Sequence, residues 1–293
     1  MAEITRNSVS LPADVSTEIL QKTQEQSAVM QLSRSVPLPG RGLSVPVITG
    51  DPEASWVAET SKKPVSNASL TSKLLQPYKL AVIETFSMEF VRDAKALYDA
   101  LVARLPMALA NRFDATVFGG VNAPGENFDT FANVTAQEIG SNTYAGLVAA
   151  DADIAEHSGI LNGFVIAPQC KAILLSAVDG NGRPLFINSV AEGAIPQILG
   201  AKTLTSKGAY IAAVSPARVN TVGFAGDWTQ AIFGTVAGVQ VTVSDQATLT
   251  AGSGEDATTI NLWQQNMVAV RAEIEVGFRA DTTVFNRLTK TDN

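Results

Sequence analysis

The sequence predicts an α+β fold: one long helix packed on long strands, with a mixed α/β section between its strand segments. Three observations carry the prediction. Leu97, Leu101, Leu105, Leu109, Phe113 and Val117 recur every four residues, which lines one face of a helix over about 94–118. Val268, Val270, Ala272, Ile274, Val276 and Phe278 alternate with Ala269, Arg271, Glu273, Glu275, Gly277 and Arg279. A period of two with one charged face is a long, half-buried strand. Between these two elements, over 137–232, helical and strand-like apolar runs are interspersed.

The elements can be justified in chain order. Residues 1–36 are polar; Val15, Ile19, Thr23, Gln26 and Met30 step by three or four, but only some are apolar. That predicts a short, weakly amphipathic helix on an arm rather than in a core. Pro37, Pro39, Gly40, Gly42, Pro46, Gly50 and Pro52 then forbid helix and favour extended chain. Residues 53–78 hold Trp56 and Val57, a polar run around Pro64, then Leu74, Leu75 and Pro77. They suit a long hairpin, and a lone two-stranded hairpin is marginal in water, so something outside it must hold it. From Leu80 two period-2 faces mark a strand.

The long helix has Asp93 as its N-cap and Gly119-Gly120 as its stop, with Pro106 predicting a kink or local break. At 1.5 Å per residue it spans about 36 Å, long enough to act as a spine. Residues 121–136 read as a loop. In the middle section, Leu147, Val148, Asp151, Ile154 and Ala155 outline a helix, and Phe164 to Ala167 a buried strand. Pro168 opens a second helix, whose face carries Cys170, Ile173, Leu174 and Ala177. DGNGRP at 179–184 is turn chemistry. Val239, Val241 and Val243 mark a strand before the final long one.

Composition excludes several classes. The chain has 293 residues, enough to bury a core without a metal or disulfide staple. A single cysteine, Cys170, rules out an intramolecular disulfide, and a single histidine, His157, rules out a multi-histidine metal centre. Basic residues number 21 and acidic ones 28, so the net charge is −7, which disfavours a protein that grips nucleic-acid phosphates. Only 17% of residues are charged, against about a quarter in average chains, which points to surface concealed in contacts with other chains or to a large core. The start shows no signal peptide and no window reaches a membrane span, so the chain reads as soluble when made.

No catalytic motif emerges. There is no GxxxxGK[ST], and DGNGRP fails both the dinucleotide pattern, at Leu185, and the calcium loop, at Arg183 and Val190. Cys170 and His157 are the one possible thiol–imidazole pair; an apolar helix face suits a structural cysteine, and a helix C-terminus suits His157. No GxSxG is present, and lysines such as Lys62, Lys63, Lys73, Lys79, Lys171, Lys202 and Lys207 are scattered or isolated. Catalytic residues, metal ligands and cofactors are therefore expected to be none.

The order of these parts resembles the major capsid proteins of tailed double-stranded DNA phages, the fold named for phage Hong Kong ninety-seven or Johnson. LPADVSTEIL, VPVITGDPEASWVAET with its Lys-Lys hairpin, YKLAVIETFSMEFVRDA and FGGVNAPG carry the resemblance through the first half. FVIAPQCKAILLSAVDGNGRPLF, AGDW, NMVAVRAEIEVGF and TVFNRLT extend it to the end. It covers essentially the whole chain and lies in the order and spacing of the segments. By resemblance, 1–36 is an N-terminal arm, 37–48 the entry to a P domain and 49–78 an E-loop. The P domain with its spine helix takes 79–136, an A domain 137–232, and P-domain strands with the C-terminus 233–293.

The resemblance implies a structural protein, not an enzyme: a self-assembling subunit of an icosahedral bacteriophage capsid. It would act in the virion and assemble in the host cytoplasm. Its partners would be copies of itself in hexamers and pentamers, a portal protein, and possible separate scaffolding and decoration proteins. The DNA would be enclosed without sequence-specific binding, and no membrane is involved. Members with a built-in scaffold carry an extra segment before the arm; the sequence starts at the arm, which implies a separate scaffold or none. Trp56, Leu70, Leu74 and Leu75 are the hairpin residues expected to anchor on a neighbour. Some members crosslink a lysine to an asparagine with a glutamate as base; Lys62 or Lys63, Asn266 and Glu273 match that set. The alternatives are an encapsulin-type nanocompartment enclosing cargo enzymes and, further off, a mixed α/β enzyme using His157 or Cys170.

Overall fold

The computed structural model describes residues 13–48, 56–57, 70–88, 94–179, 181–185, 197–214, 216–252 and 258–291. Only the backbone is described at 13–19, 45–48, 70–71 and 94–103. Helices α1 (Ala13–Gln26) and α2 (Ala28–Leu32) come first, then β1 (Arg34–Pro37), β2 (Leu43–Ile48), β3 (Leu70–Leu75) and β4 (Tyr78–Ser87). The long helix α3 (Ala94–Val117) follows, then β5 (Thr135–Glu138), α4 (Thr143–Glu156), β6 (Gly163–Ile166) and α5 (Pro168–Ser176). Strands β7 (Gln197–Ile198), β8 (Ala201–Thr205), β9 (Val219–Gly226), β10 (Ala231–Thr235) and β11 (Gln240–Ser244) come next. The chain closes with β12 (Thr248–Ala251), β13 (Thr258–Asn261), β14 (Met267–Ala280) and β15 (Phe285–Thr291).

Two sheets organise the molecule. The first is built on β14, the alternating strand of the sequence. One of its edges pairs antiparallel with β4, from Met267↔Ser87 to Val276↔Tyr78. The other takes β11 and β10 end to end, and β1 runs parallel to β10 beyond it. The second sheet has six strands in the order β5-β15-β9-β6-β8-β7. Its connections are mixed, with β6 parallel to β8 and antiparallel to β9. The chain passes from the second sheet to the first between β9 and β10, and β15 then crosses back into the second sheet and pairs with β9 and β5. The chain reverses at 281–284, where the Asp281 carboxylate accepts from the Thr283 N–H and caps a short turn.

Helix α3 ties the two sheets together, because its apolar face is long enough to serve both. Leu105 and Leu109 pack with Val268, Val270, Ala272 and Ile274 of β14. One to two turns on, Phe113, Val117 and the adjoining Phe118 join the large core that includes Phe131, Phe164, Phe224, Trp228, Phe278 and Phe285. Phe118 stacks on Phe224 at 4.7 Å, and Phe131 on Phe285 at 4.3 Å. The helix runs on as one element through Pro106 rather than breaking there. Gly119 stops it at φ +83°, where a Cβ would meet Ala132 at 2.5 Å. Asp93, the expected N-cap, lies outside the described residues.

Several local expectations meet the backbone as written, and some are corrected. Phe164, Val165, Ile166 and Ala167 are buried, and Pro168 opens α5. On α4 the buried face is Gly146, Leu147, Ala150 and Ile154, whereas Val148 is exposed; the stripe is one position out of phase with the expected one. The largest correction is at the N-terminus. Ala28, Val29 and Met30 are core residues, so the end of the supposed arm is part of the body. A hydrophobic stripe too weak to hold a helix on its own is supplemented there by a polar junction, described below.

Candidate assembly interface

Strands β2 and β3 form an antiparallel hairpin, Leu43↔Leu75 to Ile48↔Leu70, which among the described residues pairs with no other strand. Such a hairpin needs support from outside, and its root supplies it. The guanidinium of Arg279, at the end of β14, donates from Nε to the Leu74 carbonyl (2.9 Å). Nη1 donates to Asp129 Oδ1 (2.8 Å) and Nη2 to Asn127 Oδ1 (2.7 Å). Lys73 returns the stitch, donating from Nζ to the Ala280 carbonyl (3.0 Å) while standing 3.7 Å from Asp129. Asn127 donates from Nδ2 to Gln76 Oε1 and from its backbone N–H to the Tyr78 hydroxyl oxygen. Asp129 also accepts from the Ala280 N–H.

The expected contact residues divide on either side of this root. Trp56 is 105% exposed, bare of its own chain, and Leu74 is 41% exposed, so part of its side chain faces outward. Leu75 is corrected: it is 0% exposed and packs beside Gly277 of its own chain. Alternation along a strand puts neighbours on opposite faces, so Leu74 and Leu75 cannot both point outward. The side chain of Leu70 and the whole of Lys62 and Lys63 lie outside the described residues.

Asn266 sits just before β14 with φ +51°, and Glu273 lies in mid-strand, 3.3 Å from the Arg271 guanidinium. The run of strand from 267 to 273 alone spans about 20 Å. One chain therefore does not bring the asparagine and glutamate together.

A second polar junction has no periodic signature in the sequence. Asp114 is buried on α3 and accepts from Ser27 Oγ (2.6 Å), Ser206 Oγ (2.8 Å), and the N–H groups of Ala28 (3.0 Å) and Val29 (3.4 Å). Each serine is also a helix cap: Ser27 accepts from the Met30 N–H and Ser206 from the Gly208 N–H. Gly208 is small for a reason, since a Cβ there would lie 2.9 Å from the Ala115 backbone nitrogen. Burial pushes the Asp114 carboxyl above the usual range, and the four donors only partly offset that. The available signal was an acid set among Ala110, Phe113 and Val117 on the apolar face of the helix.

The thiol–imidazole pair leads nowhere chemically. Cys170 is fully buried, and burial pushes its thiol up to about 12, so it stays protonated and is a poor nucleophile. His157 caps α4, with Nδ1 2.8 Å from the Asp153 carbonyl oxygen. Among the described residues no cluster of three or more metal-ligating side chains occurs, and no helix is long and apolar enough to cross a membrane. What the geometry offers is an exposed hairpin on a rigid root: a device for contact rather than for chemistry.

Residues 7–281 match the family described as the phage capsid family. The chain belongs to that family. It is 31% identical over 291 residues to a protein named as the probable major capsid protein of Mycobacterium phage L5, spanning 92% of this chain and 86% of that one. To the major capsid protein of Staphylococcus phage 80alpha it is 25% identical over 295 residues, with 97% and 86% covered. Among solved structures, one from Mycobacterium phage Ogopogo covers 91% of this chain and 92% of its own at TM-score 0.71 and 18% identity. One from Gordonia phage Cozz covers 92% and 87% at TM-score 0.68 and 22% identity. These likenesses establish the Johnson-type α+β capsid fold. The capsid chain is a shell-forming structural protein and not an enzyme, and the named relatives favour a phage shell over a nanocompartment.

Proposed function

We propose that copies of this capsid chain close into an icosahedral shell around double-stranded DNA by laying each hairpin on a neighbouring copy. The observation that supports this reading is the exposed Trp56, carried beyond a hairpin whose root is fastened to its own chain. A fully exposed tryptophan costs solvation in the monomer and gains most when a neighbour covers it. The lobe built on the first sheet and α3 then corresponds to the P domain, and the second sheet to the A domain, with β15 added to it. A net charge of −7 per copy is repeated over the whole wall, which lets packed DNA slide without sticking. Such a shell takes a portal for DNA entry and, where used, separate scaffold and decoration proteins, and it forms in the host cytoplasm.

Electron microscopy of the purified, concentrated protein tests the reading, with closed shells of uniform diameter as the expected result. Trp56→Ala is expected to cut shell yield several-fold with no change in subunit melting. Shells of undiminished yield from that variant would remove the hairpin from the interface. An isopeptide bond from Lys62 or Lys63 to Asn266, with Glu273 as base, would need these groups from different copies. A ladder from boiled shells is its mark; a single 30.8 kDa band rules it out.

A further inference from the structure

We infer that Arg279 is a positioning residue: it sets the direction in which the β2–β3 hairpin leaves the body, and shell geometry depends on that direction. The inference rests on the hairpin being a contact arm. Three features of the root support it. First, Arg279 spends its guanidinium on three acceptors from two other chain segments, Leu74 on the hairpin and Asn127 and Asp129 on the loop after α3. A planar fork fixes an angle as well as a distance, which a lysine ammonium does not. Second, the stitch is reciprocal. β14 donates to the β3 backbone through Arg279, and β3 donates to the β14 backbone through Lys73, although the two strands share no ladder.

Third, the backbone around the fork has no slack. A Cβ on Gly277 would stand 2.5 Å from the Gln76 carbonyl oxygen, and one on Gly42, held at φ +84°, 2.9 Å from the Leu75 oxygen. A Cβ on Gly125 would stand 2.5 Å from the Tyr78 hydroxyl. The hairpin's last residues and the start of β4 are thus pinned on several sides. Arg279 itself is only 12% exposed in its side chain and Asp129 18%, so water competes weakly for the fork. The described strands reach about 20 Å from the root at 3.3 Å per residue, so a 5° tilt shifts their end by about 2 Å. A shift of that size unseats a packed side chain on a neighbour.

The test compares four variants: R279A, R279K, V270A and W56A. V270A weakens the first sheet without touching the root, since Val270 is buried against the spine helix. The readouts are melting of the dissociated subunit and the distribution of shell diameters by electron microscopy. The expected result is that R279A lowers the fraction of particles at the wild-type diameter at least threefold. V270A, at equal or greater loss of melting temperature, closes normally, and R279K falls between. R279A shells of wild-type diameter and yield, alongside a defective W56A, would overturn the inference and leave the hairpin reading intact. A V270A defect equal to that of R279A would also overturn it, because Arg279 would then contribute stability alone. Normal assembly by W56A would instead sink the hairpin reading and the inference with it. If R279A does not fold, N127A, which removes one of the three acceptors, is read by the same criteria.

Discussion

The two polar junctions of this chain are built on opposite plans. At Asp114 a carboxyl is sealed in the body and accepts from four neutral donors on two capped turns. At Arg279 a cation lies near the surface and meets a carboxylate, an amide and a carbonyl. The first fastens segments that must never separate: the N-terminal helices, the spine and the second sheet. The second fastens a projecting hairpin whose angle matters more than its strength. The difference teaches that burial, not charge count, decides what a junction is for. A sealed carboxyl without a counter-ion is costly to disturb, whereas a largely buried guanidinium fork fixes an angle as well as a distance at the hairpin root.

Removing the sealed carboxyl is expected to have the largest effect. Asp114→Ala leaves four buried donors without an acceptor and is expected to destabilise the subunit by roughly 3 kcal/mol, read by chemical denaturation. A loss below 1 kcal/mol would put the two junctions on the same footing.

Next comes the pair on the hairpin. Leu75→Ala is expected to cost the isolated subunit about 2 kcal/mol, since the side chain is fully buried in its own chain. Leu74→Ala is expected to cost less than about 0.5 kcal/mol and to act on shell yield instead. Equal effects on subunit melting would contradict the assignment of inward and outward faces.

A subtler effect is set by pH. Burial holds the folded Asp114 carboxyl above its unfolded value near 3.8, so the folded chain binds that proton more tightly. Its stabilising contribution is full below the unfolded value and is lost as pH rises through the folded one. The stability of wild type relative to Asp114→Asn is therefore expected to rise between neutral pH and pH 4. A flat difference would show that the donors, not burial, govern the site. Glu138 works the other way: hydrogen bonds led by the Ser141 hydroxyl lower its carboxyl, and its contribution fades as pH falls.

The smallest effect is ionic. Lys73 is partly exposed, so its attraction to Asp129 is worth about 0.5 kcal/mol and is expected to weaken in high salt. The Asp114 junction has no such ion pair among its recorded partners, and Asp114→Ala is expected to show the same loss at low and high salt. A salt-dependent loss there would blur the distinction.

Much of the fold was legible because its periods are local and clean. The six-residue alternation around Ile274 gives β14, and the four-residue repeat from Leu105 to Val117 gives the described part of the spine's face. The glycine pair at 119–120 gives its stop. The N-terminal segment does not read as core in the sequence because Ala28 and Val29 are held by the core and by Asp114, a residue 85 or more positions away. Of the candidate site, the exposed Trp56 and Leu74 were legible from hairpin composition. Leu75 was not, because a run of two leucines does not say which faces inward. Arg279 reads in the sequence as one charge on the outer face of a strand; its three acceptors lie about 150 and 205 residues away in sequence.

What the sequence by itself determined is the list of elements, the absence of a catalytic constellation and membership of a capsid lineage. All of these depend on residue type and spacing along the chain. Tertiary structure alone places the described N-terminal helices and β15 and holds the hairpin. Residues 28–30 enter the core, β15 crosses to the second sheet, and Arg279 locks the hairpin root. The physical reason is that periodicity reports which side of an element avoids water, while a polar junction is fixed by donors and acceptors meeting across the fold. Such a meeting leaves no period in the sequence, and it becomes visible only when segments far apart are brought to within 3 Å.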